Sequence, residues 1–290
     1  MIFPFPLSSH LSHNPTTCCP THLTNWKSGN SRFIKCLITC LVLILLPDCA
    51  IISRQPPRKP LTYQDITAII TGIREQGKKV FSFYTIGTLL IKNWYSESEA
   101  NVLIVGTQNP FRIKVEVTHP WGQPILHILI HKGELQVLSF SENRLYHGNF
   151  TPQALSRFIP GGLNADLIWA ALRGYPGPLR HYKVTSLKAN QIILFDDKGN
   201  EIEIIDVFPE SLLPKKVSYP GNSIKMAFSG FQENNGIYYP REVRVDNIKG
   251  RSDLILNNTK MFFNKTIPTQ IFILNKPPGF EAVYLDENHD

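Results

Sequence analysis

Cysteine is missing from most of this chain. All five (Cys18, Cys19, Cys36, Cys40 and Cys49) precede residue 50, and none follows. The body therefore cannot be a disulfide-stapled domain, and it holds no cysteine-ligated metal and no thiol nucleophile. Acidic residues are missing instead from the first 47 positions. None stands before Asp48, whereas Lys27, Arg32 and Lys35 do. No apolar run reaches the ~20 residues that a helix needs to cross a bilayer. Catalytic signatures are lacking too. The sequence has no Gly-x-Ser-x-Gly elbow, no phosphate-cradling glycine loop and no His-Glu-x-x-His. A hydrolase survives only as a residual reading without nameable residues, and no enzyme, cofactor or metal site is expected.

What is present falls into two unlike parts. Residues 36–46, CLITCLVLILL, form an apolar stretch behind the three basic residues, closed by Pro47 and Asp48. A basic region followed by 7–15 apolar residues is the pattern of an export signal. Leu46-Pro-Asp-Cys49-Ala50 then resembles a bacterial lipoprotein box, with leucine three before a cysteine that receives lipid. Asp48 departs from the small residue of that pattern, and an ordinary signal is the alternative. With Ala50 next in line, the resemblance implies sorting to the outer membrane of a Gram-negative bacterium, with the protein anchored on its periplasmic face. Residues 1–48 are read as an N-terminal extension plus signal, and 49–60 as the anchor and a stiff, proline-rich, basic tether. One domain is expected over 61–290.

The chain of 290 residues contains 17 Phe and 10 Tyr and is 42% apolar and 18% charged, ample for a core. Thr62 and Asp65 form a capping box ahead of Ile66, Ile69, Ile70 and Ile73, and Gly77 supplies a stop, which predicts an amphipathic helix. From Val80 the period changes to two. Ile113, Val115 and Val117 alternate with Arg112, Lys114 and Glu116; Leu126, Ile128 and Ile130 alternate with His127, Leu129 and His131. One apolar face and one wet face predict an antiparallel sheet curled around an apolar interior. His127 and His131 fall on the wet face, ~13 Å apart at strand spacing and too far for one metal. Glu201 and Glu203 are read as a solvated strand face. Two helices interrupt the strands, one opened by Thr151-Pro152 and carrying Leu155, Phe158 and Ile159. The other is capped by Asn164 and stopped by Gly174. Between two alternating strands lies His119-Pro-Trp-Gly-Gln-Pro124. Trp121 at its tip is either tucked onto the sheet or presented outward, where an indole suits a lipid–water interface.

Asn109-Pro-Phe-Arg-Ile-Lys-Val-Glu-Val-Thr-His-Pro-Trp-Gly122, then Arg144-Leu-Tyr-His-Gly148, then the interrupting helices, resemble the LolA/LolB-like lipoprotein-localisation superfamily. The likeness is greatest to LolB-type outer-membrane lipoproteins. Tyr239-Pro-Arg-Glu-Val-Arg-Val and Asn275-Lys-Pro-Pro-Gly279 fit the C-terminal part of lipoproteins given the same fold. The resemblance implies a mainly β (α+β) fold: an unclosed antiparallel β-barrel with a helical lid and an N-terminal amphipathic helix. It also implies a hydrophobic cavity for acyl chains, with Phe81, Phe83, Ile113, Val115, Val117, Leu155 and Phe158 as the expected lining. Where LolB-type proteins carry a protruding Pro-Leu-Gly loop, this sequence reads Pro120-Trp121-Gly122, which favours a presented, membrane-contacting tryptophan. Expected partners are acyl chains or lipoprotein cargo, outer-membrane lipid and a periplasmic carrier protein. No nucleic acid is expected, and the chain is expected to act as a monomer. The competing reading is a non-catalytic envelope scaffold whose interior is filled by its own side chains.

Overall fold

Thr62 opens the first element of the computed structural model, which describes residues 59–93, 96–247 and 252–285. The stretch expected to be a signal, Cys49 and most of the expected tether lie outside the described residues. The Thr62 hydroxyl accepts the Asp65 N–H, and the Asp65 carboxylate takes the Thr62 N–H and hydroxyl. That reciprocal cap fixes the start of α1 (Tyr63–Lys78) and, through the Thr62 hydroxyl first, holds the Asp65 carboxyl below its usual range. Ile66, Ile69, Ile70 and Ile73 form its buried stripe. Gly77 lies inside the helix, which continues one residue past it before Val80 N–H returns to the Gly77 carbonyl.

Six strands follow: β1 (Ser82–Asn93), β2 (Glu97–Thr107), β3 (Arg112–Thr118), β4 (Pro124–His131), β5 (Glu134–Ser139) and β6 (Arg144–Asn149). Helices α2 (Pro152–Ser156) and α3 (Ala165–Arg173) come next. The chain then forms β7 (Lys183–Thr185), β8 (Gln191–Phe195), β9 (Glu201–Val207), β10 (Pro214–Tyr219) and β11 (Ile224–Ser229). A small hairpin, β12 (Gln232–Asn234) with β13 (Ile237–Tyr239), precedes β14 (Glu242–Asn247), β15 (Ser252–Phe263) and β16 (Glu281–Tyr284).

Fourteen of these strands make one sheet in the order β16-β6-β5-β4-β3-β2-β1-β15-β14-β11-β10-β9-β8-β7. Its pairings are antiparallel except β16 with β6. The sheet does not close on itself, because β16 and β7 remain its edges. The fold is thus mainly β, an unclosed antiparallel barrel with helices against its inner face. Register sets the inner face: Gly106, Ile104 and Val102 on β2 stand opposite Ile113, Val115 and Val117 on β3, and these oppose Ile130, Ile128 and Leu126 on β4. The α1 isoleucines join the same core.

Two sequence expectations need correction. The outer face of β4 is not wet throughout. Residues 265–280 strap across it, with Phe272 packing against Val105 and Leu129, so Leu129 is buried and His127 and His131 are half-buried. Burial accordingly pushes the pKa of both imidazoles down. On β9, Glu203 is not solvated. Glu203, Ile205 and Val207 face inward while Ile202 and Ile204 face out, the reverse of the face that the paired isoleucines suggest. A loop peptide explains the carboxylate's position: Glu203 Oε2 accepts the Leu179 N–H at 2.7 Å.

Candidate functional site

The inner face of six adjacent strands, β4 through β14 at the centre of the sheet, meets α2, α3 and their linker around a cavity of about 70 Å³. Its lining is wholly aliphatic. Ile113 and Val115 contribute from β3, Ile128 and Ile130 from β4, and Leu254 and Leu256 from β15; Leu155, Ile159, Leu163 and Ile168 close it from the helical side. Such a surface offers no hydrogen bond and no charge, so a guest would be recognised by shape and apolarity alone.

Local sequence positions the helical side. Thr151 accepts the Ala154 N–H at 3.1 Å and Asn164 accepts the Leu167 N–H at 2.9 Å, which fixes the starts of α2 and α3. α2 ends at Ser156, so Phe158 and Ile159 sit beyond the helix, in the connection to α3. That connection contains Gly161 at φ +130° and Gly162 at φ +56°, backbone that L side chains rarely adopt. α3 is held against the sheet by Trp169, whose ring meets Phe83 edge-on at 5.2 Å.

The interior is sealed at one end and half open at the other. Phe83, Ile113, Ile130 and Leu135, at the end where β1 begins, are at most 2% exposed. Toward the far end of the same strands Leu89, Ile91, Ala100 and Leu126 pack against the core yet stay only half-buried. The loop between β3 and β4 leaves the sheet at this half-open end, as the Asn101–Thr118 and Ile91–Ser98 pairings require. Trp121 at its tip is 69% exposed. His119 closes the turn through two backbone bonds, its N–H to the Gln123 carbonyl and its carbonyl from the Gly122 N–H, each 2.8 Å.

The predicted lining residues separate in space. Ile113, Val115 and Leu155 line the cavity; Val117 and Phe83 are buried in the same core outside its wall. Phe158 packs against Tyr146 at 5.1 Å. Phe81 stands apart from them, 57% exposed just ahead of β1, where its N–H is taken by the Asn264 side chain.

Two buried ionisable groups escaped the sequence. Arg173 ends α3 at 1% exposure, between the rings of Tyr175 and Phe263 at 4.5 and 5.8 Å. It donates to the Tyr238 and Gln76 carbonyls, and burial pulls its pKa down to about 9. Glu203 is pushed up to about 7 by burial, against the hydrogen bonds from Leu179 and Tyr219. Neither residue lines the cavity. An arginine at the end of an amphipathic helix reads as solvated, and nothing local marks it otherwise. Among the described residues no His/Cys/Asp/Glu group could hold a metal, and no helix is long and apolar enough to cross a membrane.

No protein-family model and no curated protein matches the chain. Among solved structures it is similar to a LolA superfamily protein from Nitrosomonas europaea, at TM-score 0.47 and 15% identity over 71% of this chain and 97% of that one. A domain from Vibrio parahaemolyticus described as an outer membrane lipoprotein-sorting protein gives TM-score 0.48 and 10% identity over 71% and 97%. A DUF1329 family protein from Desulfovibrio piger gives 0.47 and 11% over 72% and 97%.

Proposed function

We infer that this protein is a non-catalytic envelope lipoprotein that takes acyl chains into its aliphatic interior and acts in lipoprotein or lipid trafficking at the outer membrane. The observation that carries the reading is the cavity wall, built from Leu, Ile, Val and Ala alone. Cys49 is the lipidated residue of this reading, and the Pro120-Trp121-Gly122 turn is its membrane-contacting loop. At about 70 Å³ the cavity is well below the ~300 Å³ at which ligand pockets begin. Binding therefore requires the connection carrying Ile159 and Leu163 to swing outward about Gly161 and Gly162. A fluorescent fatty-acyl probe titrated into the full chain tests the reading. Wild type binds, Val115→Asp loses binding, and circular dichroism shows that the variant retains its sheet. Wild type that takes up no probe ends the acyl reading. Labelling with a palmitate analogue tests the anchor, with loss of label expected in Cys49→Ser.

The same small volume favours a second reading, an envelope scaffold with a filled interior. Co-purified envelope proteins together with no extractable lipid would select it.

A further inference from the structure

His119 and Trp121 flank Pro120 at the tip of the β3–β4 loop, and their rings stack at 4.3 Å with only 6° between the planes. The indole is not loose. One face lies on the imidazole, and its Nε1 donates to Gln123 Oε1 at 3.3 Å. Because both backbone polar groups of His119 close the turn, the imidazole is a fixed platform for the ring beside it. The platform keeps a large apolar surface turned away from the sheet, which an unsupported tryptophan would tend to fold back onto.

The chemistry of the tip is one-sided. From Thr118 to Leu126 no residue is acidic, and His119 alone can change charge. Carboxylates on the strands around it are largely engaged: Glu116 on β3 pairs with Lys114 at 2.9 Å, and Glu97 on β2 with Lys92 at 2.9 Å. Glu99 is exposed on β2 and His127 is half-buried on β4 against Phe140; Glu142, on the β5–β6 turn whose Phe140 N–H bonds the Ile125 carbonyl at the start of β4, accepts the Tyr146 hydroxyl at 3.0 Å. A proton gained by His119 therefore puts a positive charge beside the exposed indole, where a ring face stabilises a cation. The result is an apolar plate with a cation at its base, which suits insertion between anionic headgroups.

We propose that His119 is the positioning and specificity-determining residue of this tip: it holds Trp121 outward and, once protonated, selects lipid surfaces that carry anionic headgroups. The proposal rests on the reading of the Trp121 loop as membrane-contacting, and its test separates the two. The full chain is titrated with vesicles of phosphatidylcholine alone or mixed equally with phosphatidylglycerol, at about pH 5 and about pH 8, which bracket histidine titration. Wild type binds the anionic vesicles about fivefold more tightly at the lower pH, the effect of one added charge near such a surface. His119→Phe keeps a stacking ring without a titrating one, so it retains the binding seen at the higher pH and loses the rise on acidification. His119→Ala weakens binding at both. An unchanged acid response in His119→Phe overturns the proposal while leaving the loop reading intact. Trp121→Ala that binds every vesicle like wild type overturns the loop reading itself.

Discussion

Arg173 joins the C-terminal ends of two helices. As the last residue of α3, its Nη2 donates to the carbonyl oxygen of Gln76 in the final turn of α1 at 3.3 Å, while Nη1 reaches the Tyr238 carbonyl of β13 at 3.2 Å. Among the described residues no carboxylate is paired with it; helix-end carbonyls and two aromatic faces take that place. Helix C-termini carry partial negative charge, which makes them acceptable hosts for a buried cation.

Arg173→Ala should cost about 2–4 kcal/mol, since it takes the guanidinium from two half-buried carbonyls and opens a gap between Tyr175 and Phe263. Urea unfolding followed by circular dichroism measures it. A loss under half a kcal/mol would show that water or neighbouring side chains replace the guanidinium without penalty.

Glu203 should impose a pH dependence on stability opposite to that of a salt-bridged carboxylate. Burial raises it from 4.5 to about 7, so between those values the native form keeps a proton that the unfolded chain has released. Stability therefore falls as pH climbs from about 4.5 to about 7 and levels off above. Glu203→Gln retains an acceptor for the Leu179 N–H and removes the slope. Relative to wild type it should gain on the order of 3 kcal/mol at alkaline pH and little at acid pH. Denaturant melts of both proteins across that range give the comparison.

Filling the cavity separates packing from binding. Ala171 lies in its wall, and Ala171→Leu should leave stability unchanged or raise it by up to about 1 kcal/mol. Affinity for an acyl probe should fall about tenfold or more, the scale for crowding an apolar pocket by a methylene or two. An unaltered affinity would place the probe elsewhere on the protein.

The strap across the outer face belongs to a separate small cluster, so its loss should be local. Phe272 is buried against Val105 and Leu129, with the Arg112 guanidinium over its ring at 5.5 Å. Phe272→Ala should weaken that segment by about 2–4 kcal/mol. Hydrogen exchange should rise over 267–285 while β1 to β3 stay protected, whereas a uniform rise would mean that the strap and barrel unfold together.

The inner wall was legible because its strands obey strict alternation. Ile113, Val115 and Val117 needed no more than their spacing, and the three helix caps at Thr62, Thr151 and Asn164 stand where the sequence put them. The failures share one cause, a distant segment that changes what a face meets. Leu129 and His131 looked wet because the strap that covers them arrives more than a hundred residues later. Glu203 looked solvated because its partner is the Leu179 peptide, twenty-four residues away, and two isoleucines mimic the opposite face. Phe81 alternates correctly with Phe83 but precedes the first inward position of β1, leaving its ring in solvent.

Among the described residues a sheet of fourteen strands that stays open keeps two free edges, and long free edges recruit other chains. Here the borders are the two shortest strands of that sheet. β7 has three residues and begins with exposed Lys183; β16 has four and begins with exposed Glu281. Either one can offer a second copy a mere handful of backbone bonds, next to a charge. The barrel can thus remain unsealed around its interior without becoming a template for polymerisation.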